Sequence, residues 1–156
     1  MRPILNGNKW HWTIDKAFKK VMNKCKESSR KGQEGTWIFP ELEQSMYKLH
    51  EQGHAHSVEV WEGEELIGGL YGLAFGDIFI GESMFADKSN ASKFGFINLV
   101  RWLSDNGYNL IDCQQETPHL KSLGATMMSG QSFYERLKTN MLRHREAGKW
   151  VLGRKY

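Results

Sequence analysis

The stretches SVEVW (residues 57–61) and LIGGLYGLAFGDIFIGESMF (residues 66–85) decide the fold of this chain. Both are rich in the aliphatic, β-branched and aromatic residues that favour strands. Glu62-Gly63-Glu64 and Phe75-Gly76-Asp77 interrupt them, and both are typical turn sequences. The pattern therefore predicts three antiparallel strands joined by tight connections.

Helical patterns flank this meander on both sides. Apolar residues recur at helical spacing with lysines between them in the first segment, Pro40 is suited to open the second, and Asn90 to cap the third. The predicted helices cover residues 13–30, 40–51, 90–105 and 131–145, and further strands cover 108–114 and 150–152. This order predicts a mixed α/β fold of the α+β type, in a single domain of residues 1–156 with a predominantly antiparallel sheet flanked by helices.

The composition is that of an ordinary globular domain. The chain has 156 residues, of which 40% are hydrophobic and 25% charged, and a chain of this length buries roughly 68–70% of its unfolded surface. No segment is long and apolar enough to cross a membrane, and the N-terminus lacks a secretory signal, so we expect a cytoplasmic protein. Cys25 and Cys113 are too few for a disulfide scaffold and are expected to be reduced.

The charge pattern permits a nucleic-acid partner without requiring one. The net charge is +3 and the pI is near 8.8, and basic residues crowd residues 16–31 and 143–155. Such runs are as typical of a solvated helix face as of a phosphate-binding surface, and both interpretations remain open.

His50-Glu51-Gln52-Gly53-His54 matches the zinc-protease pattern His-Glu-x-x-His. That chemistry requires both histidines on one continuous helix, a third ligand and an open coordination position. Gly53 interrupts the helix, and no downstream residue has the spacing of a third ligand. The sequence therefore predicts no zinc site.

Asp112 and Gln114 lie two residues apart on a predicted strand, so both side chains are expected on one face. Asp112 could be chemically active or could only orient a loop. Glu82 ends an apolar strand, where a charge needs a cationic partner. That partner could be an ammonium or guanidinium group of a ligand, or a lysine or arginine of the protein.

Six blocks in order closely resemble the leucyl/phenylalanyl-tRNA–protein transferase family. The resemblance covers roughly residues 12 to 137 and implies the acyltransferase-like, GNAT-related fold of that family's catalytic domain, without its smaller N-terminal domain. The blocks are His54-Ala-His-Ser-Val-Glu-Val-Trp61, Gly68-Gly-Leu-Tyr-Gly72, Gly81-Glu-Ser-Met-Phe85, Asn90-Ala-Ser-Lys93, Leu110-Ile-Asp-Cys-Gln114 and His119-Leu-x-Ser-Leu-Gly-Ala125.

The resemblance also implies a reaction and a site. A leucyl, phenylalanyl or methionyl group passes from its tRNA ester to the α-amino group of a protein beginning with arginine or lysine, with aminoacyl-tRNA as co-substrate and no metal or organic cofactor. Asp112 and Gln114 match the catalytic pair, Glu82 matches a residue of the substrate site, and Trp37 matches a residue that holds the terminal adenosine. The residues that match the apolar aminoacyl pocket are Leu70, Met84, Phe96, Leu99, Leu103 and Ile111.

We hypothesise that Asp112 orients and polarises Gln114, whose side-chain carbonyl accepts a hydrogen bond from the attacking amine. Three alternatives remain open. The acceptor could be a small peptide or metabolite amine, the chain could be an acyl-CoA N-acyltransferase, or it could bind tRNA ends or peptides without turnover. A Gln/Arg-x-x-Gly-x-Gly/Ala pyrophosphate loop, expected of the acyl-CoA enzymes, is not found in the sequence.

Overall fold

Two tight hairpins organise the centre of the chain. The computed structural model describes residues 9–30, 40–142 and 145–153. Strands β2 (Ala55–Glu62), β3 (Glu65–Phe75) and β4 (Ile78–Ala86) form the predicted antiparallel meander. Gly63 and Gly76 begin the two connecting turns at φ 58° and 55°, the left-handed conformation that two-residue hairpins favour at this position. The prediction of three antiparallel strands is confirmed.

The meander is extended on both sides into a five-stranded sheet of order β1-β2-β3-β4-β5. Strand β1 (Trp10–Ile14) pairs antiparallel with β2, and β5 (Leu110–Asp112) pairs parallel with β4. A parallel pair needs a crossover, which helix α3 (Ala91–Asp105) provides. The predicted mixed α/β fold with a predominantly antiparallel sheet is thus confirmed.

Helices cover both faces of the sheet. Helices α1 (Phe18–Arg30) and α2 (Pro40–Glu51) pack on one face through an apolar cluster that includes Val21, Met46 and Tyr71. On the other face α3 packs its buried side chains against the strands. A short helix, α4 (Pro118–Ser122), and a longer one, α5 (Gly130–Met141), follow β5. None of the helices in these described segments is long and apolar enough to span a membrane.

The predicted helix start at Thr13 is wrong, because Trp10–Ile14 forms the edge strand β1. Asp15 then adopts φ 55° and turns the chain into α1. The buried carboxylate of Glu59 accepts hydrogen bonds from the backbone N–H groups of Lys16 and Ala17, at 3.4 and 3.2 Å. A residue distant in sequence thus satisfies donors just before the helix, which local periodicity could not reveal.

Other boundaries also differ from prediction. Helix α4 was not predicted, and β5 is shorter than the predicted strand over residues 108–114. Asn90 precedes α3 in a left-handed conformation, but its side chain makes no capping hydrogen bond. Helix α5 ends at Met141 rather than near Arg145. The predicted strand over residues 150–152 does not form.

The carboxylate of Asp15 holds Trp150, which lies outside any strand. Asp15 Oδ2 accepts hydrogen bonds from Trp150 N at 2.9 Å and His56 Nδ1 at 2.8 Å, while Oδ1 accepts one from Ser57 N at 3.0 Å. The Trp150 ring stacks on His56 with centroids 3.7 Å apart. One buried carboxylate therefore joins β1, β2 and the C-terminal segment.

We expect Asp15→Ala to lower the free energy of unfolding by about 3 kcal/mol, because it leaves buried donors without their acceptor. Asp87→Ala is the matched control, since Asp87 forms a partly exposed ion pair with Lys24 and such pairs contribute at most about 1 kcal/mol. Urea denaturation measures both. Equal losses in the two variants would contradict the assigned role of Asp15.

Candidate active site

The parallel ladder between β4 and β5 stops after three residue pairs, the last being Ile80 with Asp112. Strand β4 continues to Ala86, so its second half has no strand on this side within the described residues. The side-chain amide of Gln114 lies where the next backbone partner would be, and its Nε2 donates to the Gly81 carbonyl at 3.0 Å. A side chain thus continues the ladder where the strands separate.

A β-bulge places Glu82 at the same point. Tyr71 pairs with Ser83 and Gly72 pairs with Gly81, which leaves Glu82 as an extra residue in β4. Bulges bend a strand and redirect its side chains, and they are frequent next to active sites. Gly72 is required by this arrangement, because a Cβ there would lie 2.2 Å from the Ile80 carbonyl oxygen.

A tight turn carries Gln114 out of β5. Asp112 Oδ1 accepts a hydrogen bond from the backbone N–H of Gln114 at 2.8 Å, the pattern in which an aspartate side chain stabilises a turn two residues on. Gln114 adopts φ 60° and lies beyond the strand end. The expected common strand face of Asp112 and Gln114 is therefore wrong, and Asp112 contacts the Gln114 backbone rather than its side chain.

The orientation of the Gln114 amide follows from its neighbours. Its Nε2 donates to Glu82 Oε1 at 3.2 Å as well as to the Gly81 carbonyl. Both partners are acceptors, so the nitrogen rather than the oxygen of the amide must face them. Gln114 Oε1 is then left to accept a hydrogen bond from another group.

The carboxyl group of Glu82 has a raised pKa and no cationic partner among the described residues. Burial raises its pKa, the hydrogen bond from Gln114 opposes this shift, and the negative charge of Asp112 raises the pKa further. No lysine or arginine within the described residues forms an ion pair with Glu82. The Glu82 carboxyl is therefore half-buried beside another acid, and a cationic ligand group would stabilise its charged form.

A cavity of about 290 Å³ opens between the separated strands. Four of the six residues predicted for the apolar pocket line it, together with Glu82 and Gln114. These four are Leu70, Met84, Phe96 and Ile111. The structure thus brings most of the predicted site to one apolar cavity with a polar rim.

The remaining predicted residues lie elsewhere. Leu99 is fully buried in the core and does not line the cavity. Leu103 lines a larger cavity of about 800 Å³, as does Asp112. This larger cavity adjoins the first, since both are lined by Ile111 and Gln114. Trp37 lies outside the described residues.

Sequence reasoning missed several residues that line the smaller cavity, among them Cys113, Thr117, His119 and Leu120. A signal was available at Thr117-Pro118, since Thr117 is a favoured N-cap residue and proline suits the first turn of a helix. The Thr117 hydroxyl accepts a hydrogen bond from Leu120 N at 3.1 Å and so begins α4. This helix turns His119 and Leu120 toward the cavity wall.

The His-Glu-x-x-His match does not form one helical face. Helix α2 ends at Glu51, and Gly53 adopts φ 78°. His50 Nδ1 lies 2.9 Å from the Ala55 carbonyl. Within residues 9–30, 40–142 and 145–153, no group of three His, Cys, Asp or Glu side chains is placed to hold a metal ion.

Comparison with protein families gives a match over residues 1–138 to the family described as leucyl/phenylalanyl-tRNA protein transferase. Curated proteins of that name from Christiangramia forsetii and Anaeromyxobacter dehalogenans are 54% identical over 127 residues and 45% identical over 153 residues. These alignments cover 80% and 98% of this chain. They cover 60% and 66% of the relatives, so the chain spans less than two thirds of their length.

Solved structures show the same fold at low sequence identity. An aminoglycoside acetyltransferase from a soil metagenome, solved with trehalose, matches at a TM-score of 0.55 and 13% identity over 96% of both chains. A possible acetyltransferase from Clostridium difficile matches at a TM-score of 0.52 and 8% identity, over 96% of this chain and 100% of that one. The predicted acyltransferase-like, GNAT-related fold is confirmed.

The surroundings of Glu82 predict opposite effects of two substitutions on its pKa. Asp112→Asn removes a negative charge and is expected to lower the pKa of Glu82, whereas Gln114→Ala removes a hydrogen-bond donor and is expected to raise it. Carbon-13 NMR titration of labelled glutamate carboxyl groups measures both shifts. Asp105→Asn, at an exposed aspartate, is the control and should leave Glu82 unchanged. Shifts of the same sign in the first two variants would refute this electrostatic description.

Proposed function

The chain belongs to the leucyl/phenylalanyl-tRNA protein transferase family, and on that premise we propose that it moves an apolar aminoacyl group from aminoacyl-tRNA to the α-amino group of a protein or peptide. The proposed donors carry leucine, phenylalanine or methionine, and the proposed acceptors begin with arginine or lysine. The observation that carries this proposal is the Gln114 amide, fixed by Gly81 and Glu82 at the rim of an apolar cavity.

The cavity suits the donor side chain. Leu70, Met84, Phe96 and Ile111 offer an apolar lining, with Glu82 and Gln114 as polar lining residues, and burial of an aliphatic or aromatic side chain against the apolar part is favourable by about 1.5–3 kcal/mol. The aminoacyl ester carbonyl would then lie at the rim beside Gln114. Trp37 retains the role implied by the resemblance, namely contact with the terminal adenosine.

The reaction needs positioning more than activation. The α-amine nitrogen of the acceptor attacks the ester carbonyl carbon, the carbon–oxygen bond to the ribose breaks, and the leaving ribose oxygen takes the proton given up by the amine. A free amine forms readily because the pKa of a peptide α-amino group is about 7.7–8.0. The ester is already activated, so holding the amine close to the carbonyl carbon in the correct orientation accounts for much of the rate enhancement.

Gln114 Oε1 is proposed to accept a hydrogen bond from the amine and so aim its lone pair at the ester. Glu82 is proposed to hold the side-chain amide of Gln114 in place and to attract a cationic group of the substrates, either an ammonium or the guanidinium of an N-terminal arginine. Asp112 acts on the backbone turn and is therefore a positioning residue. This division of roles replaces direct polarisation of the Gln114 side chain by Asp112.

Two biological consequences belong to the same proposal. An acceptor that gains leucine, phenylalanine or methionine at its N-terminus carries a signal for degradation by the N-end rule. Aminoacyl-tRNA is a cytoplasmic donor, so the proposal places the reaction in the cytoplasm.

We expect Gln114→Ala to slow transfer of leucine from leucyl-tRNA to an arginine-initiated peptide by about a hundredfold in a single-turnover assay, the size of loss that follows when a reacting group is no longer held in position. Gln52→Ala changes an exposed glutamine just after α2 and should stay within about twofold of the unaltered chain. Unchanged transfer by Gln114→Ala would remove Gln114 from the mechanism. Coenzyme A that protects the chain from thermal unfolding, when an aminoacyl-adenosine analogue does not, would favour acyl-CoA chemistry instead.

Two substitutions of Asp112 distinguish the effect of its hydrogen bond in the turn from the effect of its negative charge. The side chain introduced by Asp112→Asn retains an oxygen that can accept from Gln114 N, whereas that of Asp112→Ala does not. We therefore expect Asp112→Ala to reduce the single-turnover rate about tenfold more than Asp112→Asn, since loss of the turn moves the catalytic amide. Equal losses in the two variants would show that the charge of Asp112, and not the turn, is what the reaction requires.

A further inference from the structure

The larger cavity has room for more than an aminoacyl group. The smaller apolar cavity beside it is already proposed to hold that group. The volume of the larger cavity is about 800 Å³, against about 290 Å³ for the smaller one, and the two meet at Ile111 and Gln114. We call the larger cavity the β5 groove, because Leu110 and Asp112 of β5 line it together with Val100 and Ser104 of α3. Any second substrate that reaches Gln114 along this groove must lie against β5.

We propose that the β5 groove binds the first residues of the acceptor polypeptide as an extended strand, antiparallel to β5, with its terminal amine at Gln114. This inference rests on the proposed aminoacyl transfer, and it adds where the acceptor chain lies and in which direction it runs.

The charge of the groove favours a polypeptide over a nucleic-acid end. Its lining includes the acids Asp112 and Glu116 and the base Lys121. Lys121 forms an ion pair with Glu116, so the lining offers no unpaired lysine or arginine among the described residues. Binding of phosphates depends on such cations, whereas the remaining charge of Asp112 suits a cationic N-terminus.

The open edge of the sheet supplies a backbone template. β5 is the last strand in the sheet order, and no strand of the described segments pairs with its outer edge. Leu110, Ile111 and Asp112 are each partly exposed, although two of them are aliphatic. An unpaired strand edge lined by apolar side chains is the surface to which extended peptides add by main-chain hydrogen bonds.

The position of Gln114 fixes the direction of the bound chain. Gln114 follows the C-terminal end of β5, so an acceptor whose amine lies there must run back past Asp112 toward Leu110. At about 3.4 Å per residue, the three residues of β5 match roughly three acceptor residues after the first. Exposed apolar side chains of Val100 and Met127 line the groove and can pack on such a peptide.

Acceptor length tests the inference with leucyl-tRNA as donor. A dipeptide and a pentapeptide, both beginning with arginine and continuing with alanine, share the reacting amine but differ in how much of the groove they fill. We expect kcat/KM to be about tenfold higher for the pentapeptide, equivalent to one or two added backbone hydrogen bonds. Equal kcat/KM for the two peptides would overturn the inference. Transfer of leucine to neither peptide would refute aminoacyl transfer itself.

A tryptophan substitution that fills the groove also tests the inference, with the same substitution at a neighbouring residue as control. Ser104 and Asp105 are adjacent exposed residues of α3, but only Ser104 lines the groove. Ser104→Trp is expected to reduce kcat/KM for the pentapeptide about tenfold, because the bulky side chain blocks the part of the groove that only the longer peptide occupies. The kcat/KM for the dipeptide and the KM for leucyl-tRNA should stay within about twofold. Asp105→Trp should leave kcat/KM for both peptides and the KM for leucyl-tRNA within about twofold.

Dipeptide transfer by Ser104→Trp also reports that the variant is folded. A loss shared equally by both peptides would overturn the inference. A rise in the KM for leucyl-tRNA would assign the groove to the nucleic acid instead.

Backbone methylation provides a test on the unaltered chain. In an antiparallel pair, alternate residues direct their N–H groups toward the neighbouring strand. N-methylation of the pentapeptide at its second or at its third residue should therefore differ in effect, with a loss of about threefold to tenfold at one position and little at the other. The same effect at both positions would contradict strand addition to β5.

Discussion

The early end of the β4–β5 ladder is the constraint on which the site depends. Parallel pairing stops at Ile80 and Asp112, and the Gln114 side chain then donates to the Gly81 carbonyl in place of a backbone group. This contact supplies a donor to the Gly81 carbonyl at the point where β5 has ended. It also fixes the side-chain amide at the entrance of the opening between the strands. Structure and proposed chemistry therefore use the same hydrogen bond.

Three local features maintain this geometry. The bulge at Glu82 bends β4, Gly72 allows the close approach of the Ile80 carbonyl, and Asp112 holds the turn that leads to Gln114. Each is placed by a different part of the sequence, and each acts on backbone conformation rather than on the cavity lining. The apolar residues of the cavity could therefore vary in size while the amide and the acid keep their positions.

The sequence predicted the central sheet well, because its strands and turns follow from local patterns. The strand-favouring residues and the turns of residues 57–85 define the meander, whereas only the resemblance implied Leu70, Met84, Phe96 and Ile111, which line one cavity. Strand β1 was missed because its partners lie in β2 and because Glu59, distant in sequence, determines where α1 begins.

The contacts of the polar site could not be predicted from spacing. An interval of two residues suggested a shared strand face for Asp112 and Gln114, but the positive φ of Gln114 breaks the alternation. The partners of its amide, Gly81 and Glu82, lie on another strand and depend on a bulge. Tertiary pairing thus decided both the orientation of the amide and the role of Asp112 as a turn-forming residue.

The most direct test of the proposed site is a crystal structure of the chain with an aminoacyl-adenosine in which a stable amide replaces the ester. We expect the leucyl or phenylalanyl side chain between Leu70, Met84 and Ile111, with the carbonyl carbon beside the Gln114 amide. An analogue bound away from the opening between β4 and β5, with Gln114 not in contact with it, would contradict the central claim.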